Sequence, residues 1–237
     1  MSKRAKISWR SFFLEILSIF IGITVAFSLD NWNQKRLQKI DEIKMLKELR
    51  NGLQSTLDDM ESNSEGHASS IHSGIQLVKF INGELLSTDS VANYYTDALV
   101  DYTFTPNTGA YETLKSRGVH LISNDSIRLA IVNLYDFTFK AMVRLEEGEG
   151  AYKFYQNYSP LLNKRMSGMK PSYYVNKRLK RIDYPTNYSK RQDHEFMLLT
   201  ENMNHSRVVM LNFYKREEIR VKKLIEDIQK ELSLLSD

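Results

Sequence analysis

The chain contains no cysteine, and only four of its 237 residues are proline and ten are glycine. Without cysteine there are no disulfides, thiolate metal ligands or cysteine nucleophiles. The scarcity of proline and glycine permits long helices, since these two residues are the least favourable inside a helix. Hydrophobic residues make up 42% of the chain and charged residues 26%, a composition typical of a folded protein.

Motifs of known catalytic and metal sites are also missing from the sequence. His67 and His72 are spaced wrongly for two ligands on one helix face. No His-Glu-x-x-His pair, glycine-rich phosphate loop or Gly-x-Ser-x-Gly turn occurs. The acidic pairs Asp58-Asp59 and Glu146-Glu147 are interpreted as solvated helix charges. The sequence therefore predicts a non-enzymatic protein with no cofactor and no metal.

Charge is nearly absent from residues 12–29, which read FFLEILSIFIGITVAFSL and contain a single ionisable residue, Glu15. A run of this length and composition predicts a membrane-spanning helix. Trp9 and Trp32 bracket the run at a helical distance of about 34 Å. Tryptophans at this separation suit the two membrane–water interfaces, so they are candidate membrane anchors and lipids are the first expected partners.

The tail before this helix, residues 1–11, contains four basic residues and no acid. A short basic flank stays in the cytoplasm, which places residues 30–237 in the periplasm. A cleaved signal peptide is the alternative, because Ala26-Phe27-Ser28 offers small residues to a signal peptidase. The length of the apolar run and the charge of Glu15 within it favour a retained anchor.

Small and polar residues form one stripe on the predicted membrane helix. Glu15, Ser18, Gly22 and Ala26 recur at steps of three and four and therefore share a face. Small residues at this spacing let two membrane helices approach closely, and an intramembrane carboxylate usually faces protein. The stripe predicts a membrane interface in a homo-oligomer or with another membrane protein. In the alternative interpretation, Glu15 snorkels to the membrane surface.

Apolar residues continue at helical steps from Leu37 to Met60, so we expect a stalk helix over residues 30–62 that is continuous with the membrane helix. Polar and small residues at Ser62–Gly66 then predict a turn. Further helices are expected to end near Asn82-Gly83 and to span about residues 89–102, 110–117 and 124–160.

Residues 160–191 contain three of the four prolines and are expected to form an irregular insertion. From residue 164 onward, the insertion carries nine basic residues and one acid, Asp183. Its central cluster is a candidate contact surface for anionic lipid or an acidic partner, and a solvated loop is the alternative. Nucleic acid is not an expected partner of a periplasmic domain. The cluster consists of Lys177, Arg178, Lys180 and Arg181.

The last predicted helix covers residues 193–235. Its apolar residues follow a heptad pattern that Glu218 interrupts. We expect this helix to pair antiparallel with residues 37–60. The predicted fold is therefore all-α: one N-terminal transmembrane helix that continues into a stalk and an extended helical bundle. The heptad positions are Tyr214, Val221, Ile228 and Leu235, and Leu211, Ile225 and Leu232.

Polar residues also surround a short predicted helix between a capping residue, Asn107 or Thr108, and the terminating glycine Gly118. This segment is either a packed helix-loop-helix corner or a site for a ligand or partner. The candidate site residues at the corner are Tyr111, Glu112, Lys115 and Arg117.

Asp30-Asn31-Trp32-Asn33 directly follows the predicted membrane span, and the corner belongs to a run from Phe104 to Asn124. The span with its exit and this run are two stretches that resemble an uncharacterised family of small single-span membrane proteins of Bacteroidota. One is the acid-containing span from Glu15 that ends in Asp-Asn-Trp-Asn at Asn33. The other runs from Phe104 through Ala110-Tyr-Glu-Thr-Leu-Lys-Ser and Gly118 to Leu121-Ile-Ser-Asn. The resemblance extends from the membrane helix to about Tyr135. It implies topology and a bacterial source, and no catalytic residue.

Together these features predict a membrane-anchored scaffold or accessory subunit of a bacterial inner membrane. A periplasmic sensory or ligand-binding module is the alternative, although the cytoplasmic tail is too short for an output domain. An enzyme acting on cell-wall polymer is a third, weaker hypothesis.

Overall fold

The structure, a computed structural model, describes residues 9–84, 88–148, 152–165, 170–175, 178–183 and 194–236. Its regular elements in chain order are α1 (Trp9–Ile81), α2 (Thr88–Ala98), α3 (Gly109–Arg117), a 3₁₀ turn (Val119–Leu121), α4 (Asp125–Asn133), a π-helical segment (Leu134–Phe139), α5 (Lys140–Gly148), α6 (Phe154–Arg165), β1 (Lys170–Val175), β2 (Arg178–Asp183) and α7 (His194–Ser236). The fold class is all-α, as the sequence predicts, and one small hairpin accompanies the helices.

The predicted turn at Ser62–Gly66 is wrong, because α1 is one helix of 73 residues that passes through these positions. Two polar residues of this stretch, Asn63 and Ser64, are buried against other elements instead of ending the helix. Asn63 donates to the Thr103 carbonyl, and Ser64 donates to Glu218 on α7. The predicted end near Gly83 is confirmed: α1 stops at Ile81, and Gly83 has a φ of 93°. Only glycine adopts such a backbone conformation without strain.

The predicted antiparallel pairing of α1 with α7 is present. Arg50–Gln229 and His67–Arg207 are two of the contacts between these helices, and Gly74 packs beside Asn204 farther along. The buried seam of α7 differs in part from the predicted heptad, since Met210 and Leu224 are buried where Leu211 and Ile225 were expected. Glu217 is buried next to Glu218, the residue that interrupts the pattern. The one-residue offset follows from packing, because α7 must also contact α4 and α6.

The main hydrophobic core lies between α1, α7 and the α3–α5 region. On α1 it extends from Met45 to Met60, and on α7 it extends from Met210 to Leu232. A second, smaller cluster, which contains Leu77, lies toward the far end of α1. Full burial of each large apolar side chain contributes roughly 1.5–3 kcal/mol to the free energy of unfolding. These two clusters therefore hold the long helices together.

Residues 124–160 and 160–191 differ from expectation. The predicted helix that begins near Asn124 ends at Gly148 and does not run to Pro160, because α6 starts separately at Phe154. The insertion is not wholly irregular: α6 extends to Arg165, and β1 and β2 pair antiparallel, with Val175 opposite Arg178. Adjacent tyrosines and valine in β1 favour a strand. Pro171 is compatible with it because proline is tolerated on edge strands.

The N-terminal part of α1 contacts no other element in the part of the chain that the structure describes. Large apolar side chains between residues 12 and 29 are exposed on every face, from 42% at Leu17 to 71% at Phe27. This segment is long and apolar enough to cross a membrane. A helix that is apolar all round is stable only when lipid or protein covers it.

Candidate functional site

The predicted corner around Tyr111 is built by local backbone chemistry. The Asn107 side chain accepts a hydrogen bond from the Gly109 N–H at 3.3 Å, while Thr108 occupies the N-cap position without a side-chain bond. The chain leaves α3 through Gly118, which has a φ of 97°. An added Cβ at Gly118 would also lie 2.4 Å from the His120 ring. The prediction of a terminating glycine is therefore confirmed.

Tyr111 is the centre of the corner, and its side chain is buried. Its ring stacks on Tyr135 with a centroid distance of 4.5 Å, and its hydroxyl donates to Asp136 at 2.6 Å. Lys115 lies beside this pair, with its ammonium 5.4 Å from the Tyr111 ring centre and 3.7 Å from Asp136. Glu112 is 3.8 Å from the same ammonium. Three of the four predicted corner residues are thus brought together.

Arg117 is the exception among the predicted corner residues. Its guanidinium pairs with Asp41 on α1 at 2.5 Å. Both side chains are partly exposed, so solvent screens the pair and its contribution to stability is small. Arg117 therefore ties the corner to α1 and is not part of a site with Tyr111.

The residues that face Tyr111 come from the π-helical segment Leu134–Phe139. Its wider turn places Tyr135 and Phe139 together, both buried, with their rings 5.0 Å apart. Single π-turns inside α-helices occur frequently at functional sites, because the extra residue redirects neighbouring side chains. No sequence pattern indicates this segment, which is why only the Tyr111 side of the site was predicted.

These elements enclose a cleft of about 520 Å³. That volume is within the usual range for small-molecule sites, roughly 300–1,000 Å³. The apolar part of its lining comes from the corner, the π-helical segment and α5, and charged residues stand around it. The lining residues are Pro106, Thr108, Tyr111, Glu112, Tyr135, Phe139, Lys140, Val143, Arg144 and Glu147.

The ionisable groups of the cleft have definite charge states. Burial raises the pKa of Tyr111 and of Tyr135, so both hydroxyls remain protonated. Hydrogen bonds from Lys140 and Tyr111 lower the pKa of Asp136, which stays ionised. The cleft therefore offers aromatic surface and fixed charges. Within the described ranges, no group of three or more imidazole or carboxylate side chains converges to hold a metal ion.

Behind the corner, a buried carboxylate joins three elements of the fold. Glu146 on α5 accepts hydrogen bonds from the Phe104 N–H and the Tyr214 hydroxyl, both at 2.5 Å. Burial raises the pKa of Glu146, although these two donors partly offset that effect. The expectation that Glu146 is a solvated helix charge is therefore wrong.

The other predicted sites lie apart from the corner. Glu15, Ser18, Gly22 and Ala26 lie exposed on the apolar part of α1, where the Ser18 hydroxyl donates to the Glu15 carbonyl. Trp9 and Trp32 are also exposed, at 85% and 64%. In the basic cluster, Arg178, Lys180 and Arg181 belong to β2, and Lys177 falls outside the described residues.

The fold and the cleft define a class: an all-α protein with one apolar N-terminal helical segment and a helical domain around a single long helix pair. The chain belongs to DUF6090, a family of unknown function, which it matches over residues 15–159. The match covers the apolar segment, the corner and the π-helical segment, and it ends before α7. Neither the curated proteins nor the solved structures include a match to this chain.

Proposed function

We propose that the protein is a membrane-anchored, non-enzymatic scaffold or accessory subunit. The observation that carries this proposal is the continuity of α1: one helix contains both the exposed apolar segment and one side of the main core. Anchoring that segment in a bilayer holds the helical domain at a fixed height and orientation. A scaffold needs this rigidity, since it must present a surface to partners in a defined position.

The orientation of the protein follows from its N-terminal charge. The basic residues of the first eleven positions remain in the cytoplasm, and the helical domain lies in the periplasm of a bacterial inner membrane. The resemblance to single-span proteins of Bacteroidota supports the same topology. In this position the basic cluster around Arg178 and Lys180 binds anionic lipid headgroups or an acidic partner.

Assembly occurs through the small-residue stripe of the membrane segment, with a second copy or another membrane protein as partner. An added Cβ at Gly22 has no neighbouring atom within 4 Å, so this position leaves room for a partner helix. Backbones approach closely at such positions. Glu15 on the same stripe then hydrogen-bonds across the interface.

Two experiments test the proposal on the full chain. Alkaline phosphatase fused at the C-terminus should be active, and a fluorescent-protein fusion at the same place should be dark; the reverse pattern would invert the topology. Crosslinking in membranes should decrease for Gly22→Leu and remain unchanged for Ile21→Leu, which lies on another face. Equal crosslinking by both variants and the parent would remove the stripe from the interface.

Ligand binding is the second candidate function, and the cleft beside Tyr111 favours it. The cleft combines a buried aromatic wall with charged residues at the rim, two of which, Arg144 and Glu147, form no ion pair among the described residues, and the π-helical segment shapes it. This function does not depend on the membrane stripe, so the two candidates are tested separately.

A further inference from the structure

The cleft beside Tyr111 has an apolar side made of rings that are fixed in place. Tyr135 is held between the Tyr111 ring, at 4.5 Å, and the Phe139 ring, at 5.0 Å. Val143, one turn farther along α5, extends the same surface. Rigid aromatic surfaces bind an apolar group at little entropic cost, because the side chains lose no further freedom.

The charges around the cleft fall into two kinds. Lys140 is already paired with Asp136 at 2.7 Å, and Glu112 is near Lys115. Arg144 and Glu147, in contrast, form no ion pair or hydrogen bond within the described part of the chain. Both are exposed residues of α5 that line the cleft, and they are three positions apart, on neighbouring turns.

We infer that the cleft binds a small zwitterion with an apolar side chain, the chemical class of the apolar amino acids. In this complex Arg144 binds the carboxylate, because its planar guanidinium matches a carboxylate with two parallel hydrogen bonds. Glu147 binds the ammonium group, and the aromatic wall at Tyr135 receives the side chain. This inference rests on the second candidate function and is independent of the anchor.

The charges of Arg144 and Glu147 are the features that select a zwitterionic ligand. An apolar ligand without charge would leave both unused, whereas a simple acid or a simple amine would meet one complementary and one repelling charge at neighbouring positions. Repulsion of this kind contributes to specificity as much as attraction does. A zwitterion satisfies the guanidinium and the carboxylate together.

Calorimetric titration of the full chain in lipid nanodiscs tests the inference with four related probes. L-phenylalanine should bind saturably, and L-leucine should bind in the same manner. Hydrocinnamate lacks the ammonium group and phenethylamine lacks the carboxylate, so each should bind at least about tenfold more weakly than phenylalanine, as expected for loss of one charge-assisted bond.

Two variants test the proposed roles of Arg144 and Glu147 in binding, and a third provides a matched control. Arg144→Gln and Glu147→Gln should each weaken phenylalanine binding about tenfold. Glu147→Gln should also abolish the preference for phenylalanine over hydrocinnamate, since the group that distinguishes them is gone. Glu201→Gln, at an exposed position of α7 that does not line the cleft, should bind like the parent. Circular dichroism should show the same helical content in all four proteins.

Three results would overturn the inference. The first is no binding of either amino acid. The second is equal affinity for phenylalanine, hydrocinnamate and phenethylamine, which would show that the cleft recognises the ring alone. The third is unchanged phenylalanine affinity in both charge variants. Each of these outcomes leaves the phosphatase and crosslinking results of the anchor proposal untouched.

Discussion

Arg207 of α7 and His67 of α1 meet inside the protein with their Nη1 and Nδ1 atoms 3.3 Å apart. A guanidinium can only donate, so the Nδ1 atom accepts and the imidazole hydrogen is on Nε2. Arg207 also donates to the Ala98 and Val100 carbonyls, at 2.8 and 2.9 Å, and lies 3.7 Å from the Phe154 ring. Carbonyls at the end of α2 thus replace a carboxylate as the partner of this buried cation.

Removal of Arg207 should destabilise the fold strongly. Arg207→Met leaves one buried and one partly buried carbonyl without their donor and should lower the free energy of unfolding by about 3 kcal/mol. Thermal unfolding in detergent, followed by circular dichroism, measures the loss. The matched control is Lys215→Met, an exposed position on the same helix, which should change the melting temperature little. Equal melting temperatures for both variants would contradict the structural role of Arg207.

The protein should lose stability in acid because of His67. Burial, and then the charge of Arg207, lower the pKa of His67 to about 3 from 6.5. Below pH 6.5 His67 therefore binds a proton in the unfolded chain. In the folded protein His67 stays neutral until the pH falls to about 3. The stabilisation is complete above pH 6.5 and decreases as pH falls toward 3, by roughly 1.4 kcal/mol per unit.

His67→Asn, which keeps an acceptor near Arg207, should flatten this pH dependence in urea unfolding between pH 6.5 and 4. Glu146, whose pKa is raised by burial, acts in the opposite direction. Glu146 is present in both the parent and the His67→Asn variant, so the difference between their free energies of unfolding reports His67 alone. Parallel stability curves for the parent and the variant would show that His67 does not resist protonation.

Two glycines of α1 should respond oppositely to alanine. At Gly66 a Cβ would lie 2.2 Å from the Tyr102 ring, so Gly66→Ala should cost about 1–3 kcal/mol through overpacking. At Gly52 the nearest atom is 3.6 Å away, so Gly52→Ala should stabilise the helix by up to about 1 kcal/mol. Melting temperatures that shift in the same direction would show that the two sites do not differ as described.

Tyr214 should couple energetically to Glu146. Tyr214→Phe removes a hydroxyl that donates to Glu146 and accepts from Asn63, and it should cost about 1–3 kcal/mol. A double-mutant cycle with Glu146→Gln, measured by urea unfolding, should give a non-additive total. Additive losses would mean that the hydroxyl and the carboxylate do not interact. Tyr155→Phe, at an exposed ring, provides the control.

Much of the fold could be predicted because its local signals agree with its tertiary packing. The leucines from Leu46 to Leu57 are buried as their spacing requires. Asn124 caps α4 by accepting from the N–H groups of Ser126 and Ile127. Both signals depend on residues a few positions apart, which is the range over which a sequence pattern is informative.

Tertiary contacts account for what could not be predicted. Ser62–Gly66 has turn-forming composition, yet its polar groups find partners on α7 and beside α2, and the helix continues. Nothing in the local sequence marks Arg207 as buried, because its carbonyl partners are about a hundred residues earlier in the chain. Only one side of the cleft was predicted. Tyr111 and Glu112 belong to a local capping motif, whereas Arg144 and Glu147 line the cleft because the π-helical segment precedes them.

In the proposed anchored state, the uninterrupted α1 also determines how far the domain stands from the bilayer. Its apolar run ends at Leu29 and its first fully buried apolar residue is Met45, so the core begins about 24 Å farther along the helix axis. Deleting seven residues from this spacer would lower the core by about 10 Å and turn it by only about 20°. Deleting five would lower it by about 8 Å but turn it by roughly 140°, so the two deletions separate the height of the domain from the direction it faces.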